Sequence, residues 1–470
     1  MTSTITLTLV DNVKIIVPNS LNLITPYVLM EQQDWFEDEI KFLRKFLQPG
    51  QKIIDIGANY GVYTLSMAKA VGTMGQIWAF EPTSNTANLL AEGISLNNFT
   101  QIVLNQSALS NTAGTAQLSL NENSELNALV HDDASTSMTE TVSLVTLDQC
   151  LEDYNWEHID FIKIDAEGEE TNILQGGKKF FAKFSPLVQY EIKAGSVWHG
   201  ELVQDFIKLG YDSYRLVPGL NLLIPFDMKS SPDGYLLNLF CCQKDRAQEL
   251  VNDGFLLTEF SFEMMKTKEF KQNVLEKVKN GLYDWHHVLT KLPYGIELAE
   301  IWQTTMMAGK NSYLETALAW YLLSRDSSVS MVERFFGLEI SFNQFKNLCV
   351  SQPPSLHLAS LARVAQDYGA RTIAVQALNQ LSNQIFQSNQ VNIKEPFLTP
   401  GERFDSISPN GAIGNWVLAS ILEEFESLSA FSSFYTGASA RQRLDIIQSL
   451  GFGSAEMERR LWLLKQRFAS

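Results

Sequence analysis

The chain is poor in the features that would place it in several broad classes. Its 470 residues include four cysteines, Cys150, Cys241, Cys242 and Cys349, whose spacing fits neither a zinc site nor a disulfide framework. They read as buried or incidental thiols. There is no run of lysine and arginine, and the formal net charge is −17. An acidic surface without a basic patch repels phosphates, so nucleic acid is disfavoured as a partner or substrate. No apolar run reaches membrane-spanning length. The Thr-rich start, residues 1–10, lacks the basic-then-apolar layout of a signal peptide, and cytoplasm is the expected compartment. Charged residues are held to 19% against 45% hydrophobic, which is the balance of a folded chain and not a disordered one. The length suggests two domains.

The first half also lacks two familiar phosphate-binding loops. Ile53-Ile54-Asp55-Ile56-Gly57-Ala58-Asn59-Tyr60-Gly61 is an apolar strand run, a carboxylate and a glycine turn. It lacks the three-glycine dinucleotide spacing and has no Walker-type lysine. A helical pattern, residues 62–70, follows, and then a second strand, Gln76 to Phe80, ending in Glu81. Strand, glycine turn, helix, strand and terminal acid make half of a nucleotide-binding α/β unit. Glycine admits a ligand close to the backbone, and the acid can accept both hydroxyls of a ribose. A loop that opens with a carboxylate suits a ligand with a cationic end and no phosphate, such as S-adenosylmethionine (SAM).

A second segment, Ile159-Asp160-Phe161-Ile162-Lys163-Ile164-Asp165-Ala166-Glu167-Gly168-Glu169-Glu170, is a buried-type strand ending in an acid and an acidic helix start. D-x-G-A-N-x-G followed by K-I-D-x-E-G-x-E resembles the FkbM family of SAM-dependent methyltransferases. Shorter matching pieces are Phe80-Glu81-Pro82, Ala108-Leu109-Ser110, Thr146-Leu147-Asp148 and the strand Pro186 to Glu191. The resemblance spans about Trp35 to Lys244. It implies a Rossmann-like methyltransferase sheet at 49–245. A hairpin and helix extension at 1–48 would precede it, and a mainly α-helical domain of unknown function at 246–470 would follow.

The resemblance also implies a site. Asp55, Gly57, Asn59 and Gly61 are expected to form the turn beneath the methionine end of SAM. Glu81 is expected to hold the ribose, and Ser107 and Ala108 to border the adenine. Asp165, at the carboxyl end of the fourth strand, Glu167 and Glu191 are expected to face the methyl group. One carboxylate could serve as general base, or two could bind a divalent metal that acidifies a hydroxyl. Rival structural readings exist for single residues. Glu81 could serve the helix that follows it, and Glu167 could cap its own helix. Glu169 and Glu170 suit a helix N-terminus. Lys163 reads as an ion partner, and His199 as a second candidate base. His286 and His287 are adjacent and point apart, so they suggest no metal.

The first reading is O-methylation of a hydroxyl on a sugar, glycan or natural product. N-methylation of a peptide side chain is the alternative. A non-enzymatic alternative is a SAM-fold scaffold whose helical half binds protein or glycan. Local patterns suggest a hairpin over residues 4–17, one helix over 31–46 and a long helical run over 299–323. Residues 356–386 are similar to a single TPR-like helix pair, and Pro396 to Pro409 reads as a linker, lid or partner contact.

Overall fold

A computed structural model describes residues 3–129, 138–194, 197–198, 200–280, 283–309, 311–351 and 355–468. The chain forms two compact units. The first comprises residues 1–216, 223–227 and 236–256, and the second 217–222, 228–235 and 257–470.

The first unit is built on an eight-stranded sheet. In chain order its strands are β1 (Lys52–Ile56), β2 (Gln76–Phe80), β3 (Ile102–Asn105), β4 (Phe161–Ile164) and β5 (Leu187–Glu191). They continue as β6 (Asp212–Val217), β7 (Leu222–Pro225) and β8 (Asn238–Cys242). Their spatial order is β7-β6-β8-β5-β4-β1-β2-β3. β1 to β5 run parallel, and β8 is antiparallel to both β5 and β6. The parallel strands are covered on both faces. Ile53, Phe161 and Leu187 therefore enter one apolar core, and Ile54, Ile162 and Val188 the other. From β1 the chain moves outward to β2 and β3, then returns to place β4 on the other side of β1. The carboxyl ends of β1 and β4 flank this reversal, where ligands bind in open α/β sheets.

Around this core the local expectations are partly revised. The stretch read as one helix at 31–46 is two, Ile24–Gln32 and Asp38–Phe46. Gln33 adopts a left-handed conformation (φ 59°), and Arg44 holds the intervening Asp34 with two hydrogen bonds of 2.7 and 2.8 Å. The helix pattern masked this break because no glycine or proline marks it. The second of these helices packs Phe42 and Phe46 into the core. A separate four-stranded sheet lies within this unit. It contains Gly114–Ser119 paired antiparallel with Thr139–Val145. The helix Lys244–Asn252 buries Ala247 and Leu250 in the core of the first unit. All four cysteines are free thiols.

The second unit is helical. The 299–323 run is two helices, Pro293–Ala308 and Ser312–Arg325. The pair Leu356–Phe386 is realised as His357–Tyr368 and Arg371–Ser388, separated by the left-handed Gly369. The segment 396–409 is a packed part of this unit's interior. Phe397, Leu398, Thr399 and Phe404 are buried. Its carbonyls accept from donors on surrounding helices: Tyr294 Oη to Phe397 O at 3.0 Å and Trp416 Nε1 to Ile407 O at 3.0 Å. Arg363 reaches Asp405 at 3.1 Å, and Arg325 reaches Glu402 at 2.7 Å. A buried loop is tolerated only when its backbone groups are paired in this way.

Trp416 is fully buried, stacks on Tyr294 at 5.0 Å and pins the loop at Ile407. Trp416→Ala is expected to destabilise the helical unit by about 3–5 kcal/mol, read as a lowered urea midpoint.

Candidate functional site

The glycine turn after β1 is shaped by close contacts. Gly57, Asn59 and Gly61 all have positive φ, at 77°, 48° and 93°. A Cβ on Gly57 would sit 1.8 Å from the carbonyl oxygen of Asp165, so the turn and the end of β4 touch backbone to backbone. Gly61 precedes the helix Val62–Val71, and a Cβ there would strike Leu90 Cδ1 at 2.4 Å. Asn59 tolerates the left-handed region better than most residues. Its Oδ1 accepts from Tyr60 N–H at 2.8 Å and from Ser124 Oγ at 3.0 Å.

Glu81 ties the tip of β2 to this turn. Its Oε2 accepts the Asn59 N–H and its Oε1 the Thr83 N–H, both at 2.9 Å. Burial pushes the Glu81 carboxyl up to about 7, against the pull of these N–H donors. Thr83 stands at the N-cap of the helix Ser84–Asn97 without a side-chain cap. The Ser84 N–H donates instead to Glu140 at 3.1 Å. Ser107 is buried and Ala108 half-buried beyond β3, and the neighbouring Gln106 donates to Ser84 Oγ at 2.9 Å.

Beneath the turn lies a polar row. Asp55, Lys163 and Gln189 are in register across β1, β4 and β5, so their side chains share one face. Asp55 is wholly buried and accepts from Thr64 Oγ1 at 2.5 Å, while its Oδ1 has no hydrogen-bond partner. Lys163 Nζ lies 2.7 Å from Asp165 Oδ2 and over the ring of Tyr63. Burial would lower the Lys163 pKa, but Asp165, Asp55 and Glu37 outweigh it and raise it above the ordinary lysine value. Tyr63 donates to Glu37, whose carboxyl is raised by burial.

Above the row, Asp165, Glu167 and Glu191 converge, each offering a carboxylate oxygen within 4.8 Å of the others. Burial and then Asp165 push Glu167 up to about 8, and Glu191 is raised by burial and by Asp165 and Glu167. Glu170 raises both Glu167 and Glu191, and Glu125 raises Glu167, while Lys163 draws on Asp165, Asp55 and Glu37. Glu167 is itself left-handed (φ 48°). It is Glu170 that accepts the Ala166 and Gly168 N–H groups, at 3.0 and 3.1 Å. Glu169, at the N-cap of the helix Glu170–Gln175, is buried and accepts from Ser110 Oγ at 2.9 Å.

The structure thus brings Asp55, Gly57, Asn59, Gly61 and Glu81 together, and separately gathers Asp165, Glu167 and Glu191. His199 lies outside the described residues. His286 and His287 sit on the short helix Trp285–Val288. Glu37, Tyr63, Glu125 and Asn238 were missed from sequence. Only Tyr63 carried a local signal, its place in the first turn after the glycine loop.

A reversed α/β sheet, a glycine turn pressed on β4 and a buried acid at the tip of β2 define a SAM-dependent methyltransferase of Rossmann-like fold. Residues 55–213 match the model described as the methyltransferase FkbM domain. Among solved structures, a SAM-dependent O-methyltransferase from Thermotoga maritima is 14% identical with a TM-score of 0.26, covering 49% of this chain and 73% of its own. A SAM-dependent methyltransferase from Aquifex aeolicus is 13% identical with a TM-score of 0.27, covering 46% and 92%. An O-methyltransferase from Bacillus cereus in complex with SAH is 14% identical with a TM-score of 0.26, covering 44% and 80%. No curated protein matches the chain. No helix among the described residues is long and apolar enough to cross a membrane.

Two substitutions test this frame. Gly57→Ala is expected to force the turn away from Asp165 and to lower the thermal midpoint. Lys163→Met removes the buried cation from its carboxylates. It is expected to cost about 3 kcal/mol, the lower end for a broken buried pair, because the Asp165 side chain remains 35% exposed. Urea denaturation measures the loss.

Proposed function

We propose that the chain transfers the methyl group of SAM to a hydroxyl of a sugar, glycan or natural product. The observation that carries this reading is the pair of strand-tip clusters. One suits the nucleoside and amino-acid parts of the cofactor, and the other presents carboxylates to an acceptor. The residues fit SAM. Each Glu81 oxygen accepts one backbone N–H and keeps a lone pair for a ribose hydroxyl. Gly57 and Gly61 are held by close packing against Asp165 and Leu90, which fixes the shape of the turn. Asp55 acts from beneath, by holding the turn through Thr64. Ser107 and Ala108 border the adenine in this reading.

SAM supplies an electrophilic methyl on its sulfonium. The chain's own contribution is to hold the acceptor oxygen in line and to receive its proton on Asp165, Glu167 or Glu191. The oxygen–carbon bond forms as the carbon–sulfur bond breaks, and S-adenosylhomocysteine (SAH) leaves. A carboxyl raised toward the working pH, as Glu167 is, suits a base that must take up and release a proton. The excess of carboxyl groups around one lysine favours a second reading, a cationic peptide acceptor methylated on nitrogen. Incubation with SAM and panels of hydroxylated glycans and basic peptides, with SAH release as the readout, separates the two. Absence of SAM binding at millimolar concentration would sink both.

Two predictions concern Glu81. Glu81→Ala is expected to weaken SAM binding by about 10–100-fold, the worth of hydrogen bonds to a charged acceptor, in a calorimetric titration. The ionised carboxylate is the form that accepts ribose hydroxyls. Because Glu81 titrates near about 7, SAM affinity is expected to fall as pH drops through that value. Glu81→Gln should flatten this dependence.

A further inference from the structure

We infer that Asp165, Glu167 and Glu191 form a binding site for a hard divalent cation, with Asn238 as a supporting donor. This rests on the acceptor-side reading given above for the same residues, but its test does not depend on turnover.

Three carboxylate oxygens, one from each residue, lie within 4.8 Å of one another. Such an all-oxygen, anionic set suits Mg²⁺, Mn²⁺ or Ca²⁺ and not the softer metals. Only one of the two Asp165 oxygens is engaged by Lys163, leaving the other for a ligand. The three carboxyl groups crowd their oxygens together here, and Lys163, the ammonium beside Asp165, is also shared with Asp55 and Glu37.

Asn238 supplies an independent observation. It lies directly opposite Glu191 on the antiparallel strand β8, so the two side chains stand on the same face of the sheet. Asn238 is 5% exposed, and its Nδ2 is buried with no hydrogen-bond partner. A buried amide left unpaired costs about 1–3 kcal/mol, so its persistence beside the carboxylates points to a missing acceptor. A water or acceptor hydroxyl held on the cation provides that oxygen. The Nδ2 group would donate to it while the carboxylates hold the ion. When bound, such an ion lowers the pKa of a hydroxyl attached to it.

The sulfonium of SAM is a competing source of positive charge, so the test uses SAH, which fills the cofactor groove without it. Mn²⁺ is titrated into the full chain saturated with SAH and followed by electron paramagnetic resonance. Binding is expected with a dissociation constant below about 1 mM, the weak end for oxygen-ligand sites. Glu191→Gln, which keeps the side-chain shape, is expected to weaken it at least about tenfold, and Asn238→Ala by a smaller factor. Retained SAH binding without Mn²⁺ binding overturns the cation site and leaves the methyltransferase standing. Mn²⁺ binding unchanged in Glu191→Gln also overturns it. Failure of SAH to bind overturns the cation site together with the cofactor site.

Discussion

The contact between β1 and β4 is the constraint on which the site depends. Lys163 sits in the middle of β4, buried among carboxylates from two strands and from the segment before the helix Asp38–Phe46. A buried ammonium persists only when its partners are close and fixed. Lys163 stands in register with Asp55 on the neighbouring strand and holds Asp165 at 2.7 Å. The same contact presses the Asp165 carbonyl onto Gly57, where only a residue without Cβ fits. The glycine turn and the acidic cluster are therefore held as one piece.

Glu81 extends this coupling to β2. By accepting the Asn59 N–H it locks the far side of the turn, and by accepting the Thr83 N–H it orients the helix that follows. The functional reading of Glu81 and the rival helix-serving reading are not exclusive, because a carboxylate has lone pairs enough for both. A further hold comes from Ser124, on a segment anchored by Asn123 and Glu125 to the N–H groups of Ile24 and Thr25. The helix Ile24–Gln32 has no side-chain cap at its own N-cap residue, and these two distant side chains satisfy its first donors.

The helical unit solves a different problem. Its long segment 393–407 has no regular structure apart from a short 3₁₀ turn, yet residues 396–401 and Phe404 are buried. Tryptophan, tyrosine and arginine donors take up its carbonyls, and an aromatic cluster of Tyr294, Trp302, Phe397 and Trp416 fills the space between. The sequence reads Pro396 to Pro409 as a linker, lid or partner contact. The donors that bury it lie up to about a hundred residues away in sequence, so nothing local announced them.

What the amino-acid order determined by itself is the part that depends on short-range geometry. An apolar run, an acid and glycines at D-x-G-x-N-x-G dictate a strand and a tight turn, because glycine and asparagine tolerate the backbone angles needed better than most residues. K-I-D-x-E-G likewise marks a strand ending in an acid. The alternation of strands and helices, and the change to an all-helical pattern beyond Lys244, follow from periodicity. Tertiary structure alone decided which charges meet. Glu37, Glu125 and Asn238 come to Lys163, Glu167 and Glu191 from remote segments, and the break after Gln32 is held by Arg44 reaching back to Asp34. Hydrogen bonds and ion pairs between distant segments leave no period in a sequence, whereas steric limits on single residues do.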